Sequence, residues 1–292
     1  MTTAPTAGVV GLGEIGGGVA RSIARAGLAL VVCDVRQEAT AAFTDCATIA
    51  GTPAALGATS DVVLVAVLDD AQVEAVVLGD EGVLRDPKPG SIVVVLSTIG
   101  PDTVRGIGEQ AEKRGVGVLD CGVSGGPGAA AEGSLVSMLG GNPEVIERAR
   151  PVLEAFSERV VHMGPLGAGL QAKLARNLVQ YASWLAAYEA QVLAEAAGIE
   201  LAKLAEVIRE SDKKIGGAST LMFRKTVAPF GPDDDAGLIR AMQSAAALAH
   251  KDLRAAVALA ERLGLELPLA TMTEARADAI FGVGPDTHQE HP

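Results

Sequence analysis

A doubly wound α/β sheet followed by an all-helical domain is the fold class that this sequence predicts, and three observations predict it. The first is composition. Of the 292 residues 49% are hydrophobic but only 3% aromatic, a mix that suits helices packed on buried parallel strands better than a β-sandwich. The second is an alternation, from residue 7 to about 163, of short aliphatic runs with segments of helical period. The third is the loss of any strand pattern after "GPLGAG" at 164–169.

Strands are expected at 7–12, 29–34, 61–68, 91–96, 116–120, 135–140 and 160–163. Each is short and apolar on both faces, as a parallel sheet covered by helices requires. Helices are expected between them at 16–26, 71–78, 101–114 and 143–157, with a right-handed crossover at each βαβ step. Residues 170–197 contain neither proline nor glycine and read as one long helix. Further helical stretches are expected at 201–211, 220–227, 236–263 and 269–280. The glycine-proline segment is therefore the boundary, giving domains 1–164 and 165–292, with a polar tail from about 282.

Charge and residue usage exclude several functions. The formal net charge is −12, and so acidic a chain repels phosphate backbones, which argues against a nucleic-acid partner. The longest apolar runs, such as "VVLVAVL" at 62–68, are too short to cross a bilayer. The start, "MTTAPTAG", shows no secretory signal. Cys33, Cys46 and Cys121 lack CxxC spacing and read as reduced thiols of a cytoplasmic protein. The four histidines are not spaced as metal ligands, and no metal is expected; His288 and His291 fall in the tail.

The glycine-rich turn near the start is the first functional signal. Gly11-Leu12-Gly13-Glu14-Ile15-Gly16 fits G-x-G-x-x-G, after one strand and opening a helix, the arrangement of a Rossmann-type dinucleotide site. Gly11 permits the tight turn, Gly13 lets a pyrophosphate touch the chain, and Gly16 allows helix and strand to pack closely. A second strand ends on Asp34, where a carboxylate can accept hydrogen bonds from adenosine ribose hydroxyls and would repel a 2′-phosphate. NAD is therefore favoured. Arg36, two positions on, can swing toward a phosphate, which keeps NADP open.

Ligands of such sheets bind beyond the carboxyl ends of the strands. Val67 and Leu68 end the third strand, and Thr98 lies in "STIGP" after the fourth; all three are placed on the cofactor side. In "DCGVSGGPGAAAEGSL" at 120–135, Ser124, Gly125 and Gly126 form either a turn whose N–H groups hold a carboxylate or a plain connection. Lys173 and Asn177 stand at i and i+4 on the long helix, on one face about 6 Å apart along the axis. By itself such a lysine reads as an ordinary exposed charge. Lys251 and Asp252 of "HKDL" read as a surface ion pair or as part of the site.

Four motifs, "GLGEIG", "VSGGPGAAAEGSL", "GAGLQAKLARN" and "KDL", occur in an order and spacing that resemble the 3-hydroxyisobutyrate dehydrogenase, or β-hydroxyacid dehydrogenase, family along essentially the whole chain. The resemblance implies a nucleotide-binding domain, a long interdomain helix and a helical domain that mediates a homodimer or homotetramer. It implies that Lys173 is the catalytic general acid and base acting on a hydroxy acid or its semialdehyde. It also implies that Asn177, Ser124, Gly125 and Gly126 bind substrate, and that Thr98 and Lys251 contact the cofactor side. Ile15 and Val19 stand where the family usually has methionines, and Leu178 replaces a usual second asparagine, which puts the substrate rather than the reaction in question. Imine reductases resemble the same architecture but usually have another residue in place of Lys173. A bulkier substrate, or nucleotide binding without turnover, are the alternatives. Tyr181, Trp184 and Tyr188 continue the Lys173 and Asn177 stripe, either as an aromatic wall of the substrate site or as a packing interface.

Overall fold

The computed structural model describes residues 4–284. The chain forms two units, Met1–Arg176 and Asn177–Pro292. The first is an eight-stranded sheet, built from β1 (Ala7–Val10), β2 (Leu30–Cys33), β3 (Thr48–Ile49), β4 (Val62–Val65), β5 (Ile92–Val95), β6 (Gly117–Ser124), β7 (Leu135–Gly140) and β8 (Ser157–Gly164), in the order β3-β2-β1-β4-β5-β6-β7-β8. Helices α1 (Glu14–Arg25), α4 (Asp70–Leu78), α5 (Pro101–Glu112) and α7 (Pro143–Leu153) cover it.

Every residue of β1, β2, β4 and β5 is buried, and the two-residue period of a strand divides them between two layers. Val9, Val32, Leu64 and Val94 pack with Val19 and Ile23 of α1 and Ile146 and Val152 of α7. Val10, Val31, Val63 and Val93 pack with Val73 and Val77 of α4 and with Ile107 of α5. Burial on both faces is why these strands read as continuous aliphatic runs.

The sheet departs from the expected pattern at one strand, and several short elements were not expected. β7 runs antiparallel to β6, where the sequence pattern read as a parallel sheet. Only residues 125–134 join the two strands, fewer than the dozen or more a parallel crossover needs. That connection also holds an unforeseen helix, α6 (Gly126–Glu132), hidden in sequence by its glycines and closed by Gly133 in the left-handed conformation. The short α2 (Gln37–Ala41), β3 and α3 (Pro53–Gly57) were likewise not expected, being too brief to show a period, although Thr52 caps α3 by accepting from the Ala55 N–H at 3.2 Å.

Helix α8 (Ala168–Ala196) begins in the first unit and is followed in the second by α9 (Leu201–Ile215), α10 (Ala236–Arg262), α11 (Pro268–Ala275) and α12 (Ala277–Phe281). The helix expected at 220–227 is a run of turns. There the Thr220 hydroxyl donates to the carbonyls of Ile215 and Gly217, a local alternative to helical bonding that follows two glycines. The single helix expected at 269–280 is broken at Arg276 into α11 and α12. The buried Glu189 carboxylate caps α11, accepting from the N–H groups of Leu269 at 2.8 Å and Ala270 at 3.1 Å. From residue 285 on, the expected tail lies outside the described residues. Among the described residues, no helix is long and apolar enough to cross a membrane.

Candidate active site

Beyond the carboxyl ends of β1, β2, β4 and β5 the first unit opens a cleft of about 1050 Å³, at the point where strand order reverses between β1 and β4. Its floor is the glycine turn. Gly11 has φ +89°, and a Cβ on Gly16 would lie 1.9 Å from the Gly11 carbonyl, so α1 can start this close to β1 only without side chains at both positions. A Cβ on Gly13 would meet no protein atom within 4 Å. The space before it is left for a ligand at the start of α1, which is what a dinucleotide's phosphates require. Gly13, Glu14, Ile15 and Gly16 all line the cleft. Leu12 does not; it is buried, and its N–H donates to Asp34 at 2.6 Å.

Asp34 lines the cleft with a side chain only 6% exposed. It also accepts from the Arg36 N–H at 2.9 Å and from the Arg36 guanidinium at 3.1 and 3.2 Å. Burial works against its charge, but the hydrogen bonds from Arg36 and Leu12 prevail and hold the carboxyl below the usual aspartate range.

Val67, Leu68 and Thr98 form the neighbouring wall. Two side chains the sequence did not single out tie their loops together. The Ser97 hydroxyl donates to the Val67 carbonyl at 2.7 Å and accepts from the Val67 N–H at 3.0 Å. Asp70 accepts from the Gly100 N–H at 2.9 Å and the Thr103 hydroxyl at 2.6 Å. The separations of about thirty residues explain why no local pattern announced them.

At the end of β6, Gly125 and Gly126 have φ of +132° and +75°, turning the chain into α6. Gly126 lines the cleft, and Ser124 and Gly125 adjoin it along the chain. Lys173 also lines it. This lysine is half-buried on α8, and its Nζ donates to the Val123 carbonyl at the end of β6. Burial, and after it the charge of Arg176, push its amine below the usual lysine range. Asn177 and Lys251 belong to the second unit and are not among the residues that line this cleft. Lys251 is exposed on α10 and pairs with Asp252 at 3.2 Å. Tyr181 and Trp184 stack edge to face with centroids 5.4 Å apart, and both are exposed, as is Tyr188. Burial pushes the Cys121 thiol up to about 12, which leaves it unreactive. No group of side chains suited to a metal occurs among the described residues.

The fold and this cleft agree with comparisons to known proteins. The family described as the NAD binding domain of 6-phosphogluconate dehydrogenase matches residues 6–164, and the family described as the NAD-binding domain of NADP-dependent 3-hydroxyisobutyrate dehydrogenase matches residues 167–289. An uncharacterised oxidoreductase of Mycobacterium tuberculosis is 39% identical over 97% of this chain and 96% of its own length. The NAD-dependent L-serine dehydrogenase of Pseudomonas aeruginosa is 38% identical over 69% of this chain and 68% of its own length. A crystal structure from Mycobacterium avium 104, assigned only provisionally as an oxidoreductase, superposes with a TM-score of 0.88 at 36% identity, covering 96% of this chain and 99% of that one. The chain is an NAD- or NADP-binding oxidoreductase of the 3-hydroxyisobutyrate dehydrogenase, or β-hydroxyacid dehydrogenase, family.

Proposed function

We propose that this chain interconverts a small β-hydroxy acid and its semialdehyde, with Lys173 as general base in oxidation and general acid in reduction. The observation that carries the reading is a half-buried lysine in the dinucleotide cleft, with its amine on the Val123 carbonyl. A bound nicotinamide supplies the acceptor or donor of hydride. Burial, and then Arg176, favour the neutral amine, the form that takes a proton from a substrate hydroxyl. The ammonium so formed keeps the Val123 carbonyl as its acceptor, and in the reverse direction it returns the proton to the carbonyl oxygen. The turn at Ser124, Gly125 and Gly126 offers N–H groups to the substrate carboxylate. The family resemblance adds Asn177, a neutral group that orients the hydroxyl without raising the lysine's pKa, and Lys251 on the cofactor side. L-serine, named for the Pseudomonas relative, is itself a β-hydroxy acid and typifies the substrate class.

NAD is the proposed cofactor ahead of NADP, because Asp34 presents a carboxylate where a 2′-phosphate would sit. A homodimer or homotetramer is part of the same reading. The test is a panel of β-hydroxy acids with NAD and with NADP, followed by the absorbance of the reduced nicotinamide. Turnover of small acids is expected, and Lys173→Ala should lose about 10²- to 10⁴-fold in kcat while binding NAD as the parent does. Near-parental turnover by Lys173→Ala would remove the lysine from the mechanism.

A further inference from the structure

The first turns of α8 carry Lys173, and a buried carboxylate holds them on β6. Asp120 is fully buried and pairs with Val95 across the β5–β6 ladder. Its Oδ1 accepts from the Gly167 N–H at 2.6 Å and its Oδ2 from the Leu170 N–H at 2.7 Å. Such N–H groups at a helix start have no partner within the helix, and the helix dipole favours an anion there. Two residues along the same face of β6 stands Gly122, where a Cβ would come within 2.6 Å of the Lys173 Cβ. The helix in turn presents Gly169, where a Cβ would lie 2.3 Å from the Met138 carbonyl. Helix and strand are therefore in backbone contact, with a carboxylate clamp before the lysine and a missing side chain beneath it.

We propose that Asp120 is the positioning residue of Lys173: it sets the register of α8 on β6 and so places the amine at the Val123 carbonyl, without itself meeting substrate or cofactor. Its effect on turnover rests on the reading of Lys173 as general acid and base; its effect on the amine does not. The charge that acts on that amine is Arg176 on α8, and Glu14, Asp34 and Arg36 line the same cleft.

The test follows two readouts in the full chain carrying Asp120→Asn. One is the split between kcat and the KM for NAD; the other is the titration of the Lys173 amine, observed by NMR on ¹³C-labelled lysine. An asparagine sets an oxygen against only one of the two N–H groups and an NH2 donor against the other, so the turn should loosen. We expect kcat to fall about 10- to 100-fold with the KM for NAD unchanged, and the amine to titrate at higher pH as it gains water. Loss of the carboxylate charge alone would move the amine the other way, so a rise reports lost placement. Gly122→Ala keeps that charge while displacing the lysine's Cβ, and it should produce the same two changes even if Asp120→Asn does not fold. An amine that titrates at or below the parental value in the folded variants, with kcat unchanged, overturns the proposal. If instead Lys173→Ala keeps its turnover, the general-base reading fails, and the amine titration still decides the placement.

Discussion

At the end of β2 the Asp34 carboxylate collects the N–H groups of Leu12 and Arg36 and two contacts from the Arg36 guanidinium. On the proposed reading of Asp34, ribose hydroxyls exchange with Arg36, and a 2′-phosphate draws Arg36 away from its partner. Asp34→Ala is expected to weaken NAD by about 10- to 100-fold, the worth of a hydrogen bond to a charged group, and to leave NADP binding unchanged or tighter. Titration calorimetry with both dinucleotides checks this, and an equal loss for the two would contradict it. The glycine turn and Asp34 were legible in sequence because their spacing is local. Ser97, Asp70 and Asp120 were not, because each acts on groups thirty to fifty residues away.

Among the elements, α10, α11 and α12 meet at one histidine. His250 bonds Glu274 at 2.8 Å through Nδ1 and Asp278 at 3.2 Å through Nε2, and Arg254 also reaches Glu274 at 2.7 Å. The hydrogen bond to Glu274, and then that to Asp278, raise the His250 pKa above the ordinary value. A raised pKa means that the folded state holds the proton more tightly than the unfolded chain. The stabilisation is complete below the unfolded value of about 6.5 and is lost as pH rises through the folded one. His250→Gln should therefore lower Tm at pH 6 and converge on the parent by pH 9. Melting curves at both values decide it; a Tm difference that is the same at each pH would show the histidine to be neutral packing. The helices themselves were readable from their period. Their breaks were less so: the turns at 220–227 arise from side-chain to backbone bonds, and the break at Arg276 has no proline or glycine to mark it.

Across the whole molecule, burial is unevenly shared. The first unit keeps two hydrophobic layers with residues such as Leu64, Ile92 and Leu119 fully buried. Among the described residues of the second unit the buried apolar side chains are Ala194, Ala246, Ala260, Leu267 and Ala277, while Leu178, Tyr181, Trp184, Leu185 and Tyr188 of α8 stand exposed, Leu178 by 71% and Tyr188 by 62%. The homo-oligomer proposed above would supply these helices with the burial they lack within one chain, and the exposed apolar face of α8 is the surface proposed for it. Sedimentation should therefore give a mass above that of one chain. Tyr181→Glu with Trp184→Glu should shift it to the monomer and make Tm lower and dependent on concentration. A wild-type chain that sediments as a monomer at micromolar concentration would return the aromatic stripe to the substrate side.

The sequence by itself determined the fold class, the glycine turn, the carboxylate at the end of β2 and the family. Those features are written in short-range terms: two-residue and helical periods, glycine spacing, and motifs that keep their order. Only the tertiary structure decided that β7 runs antiparallel, that the Asp34 carboxylate is taken up by Arg36, and that Lys173 of α8 is half-buried against β6, where Asp120 accepts from the N–H groups at the start of the helix. Each of these depends on which distant backbone groups a side chain meets and how much water it loses, and neither quantity has a local signature in the chain.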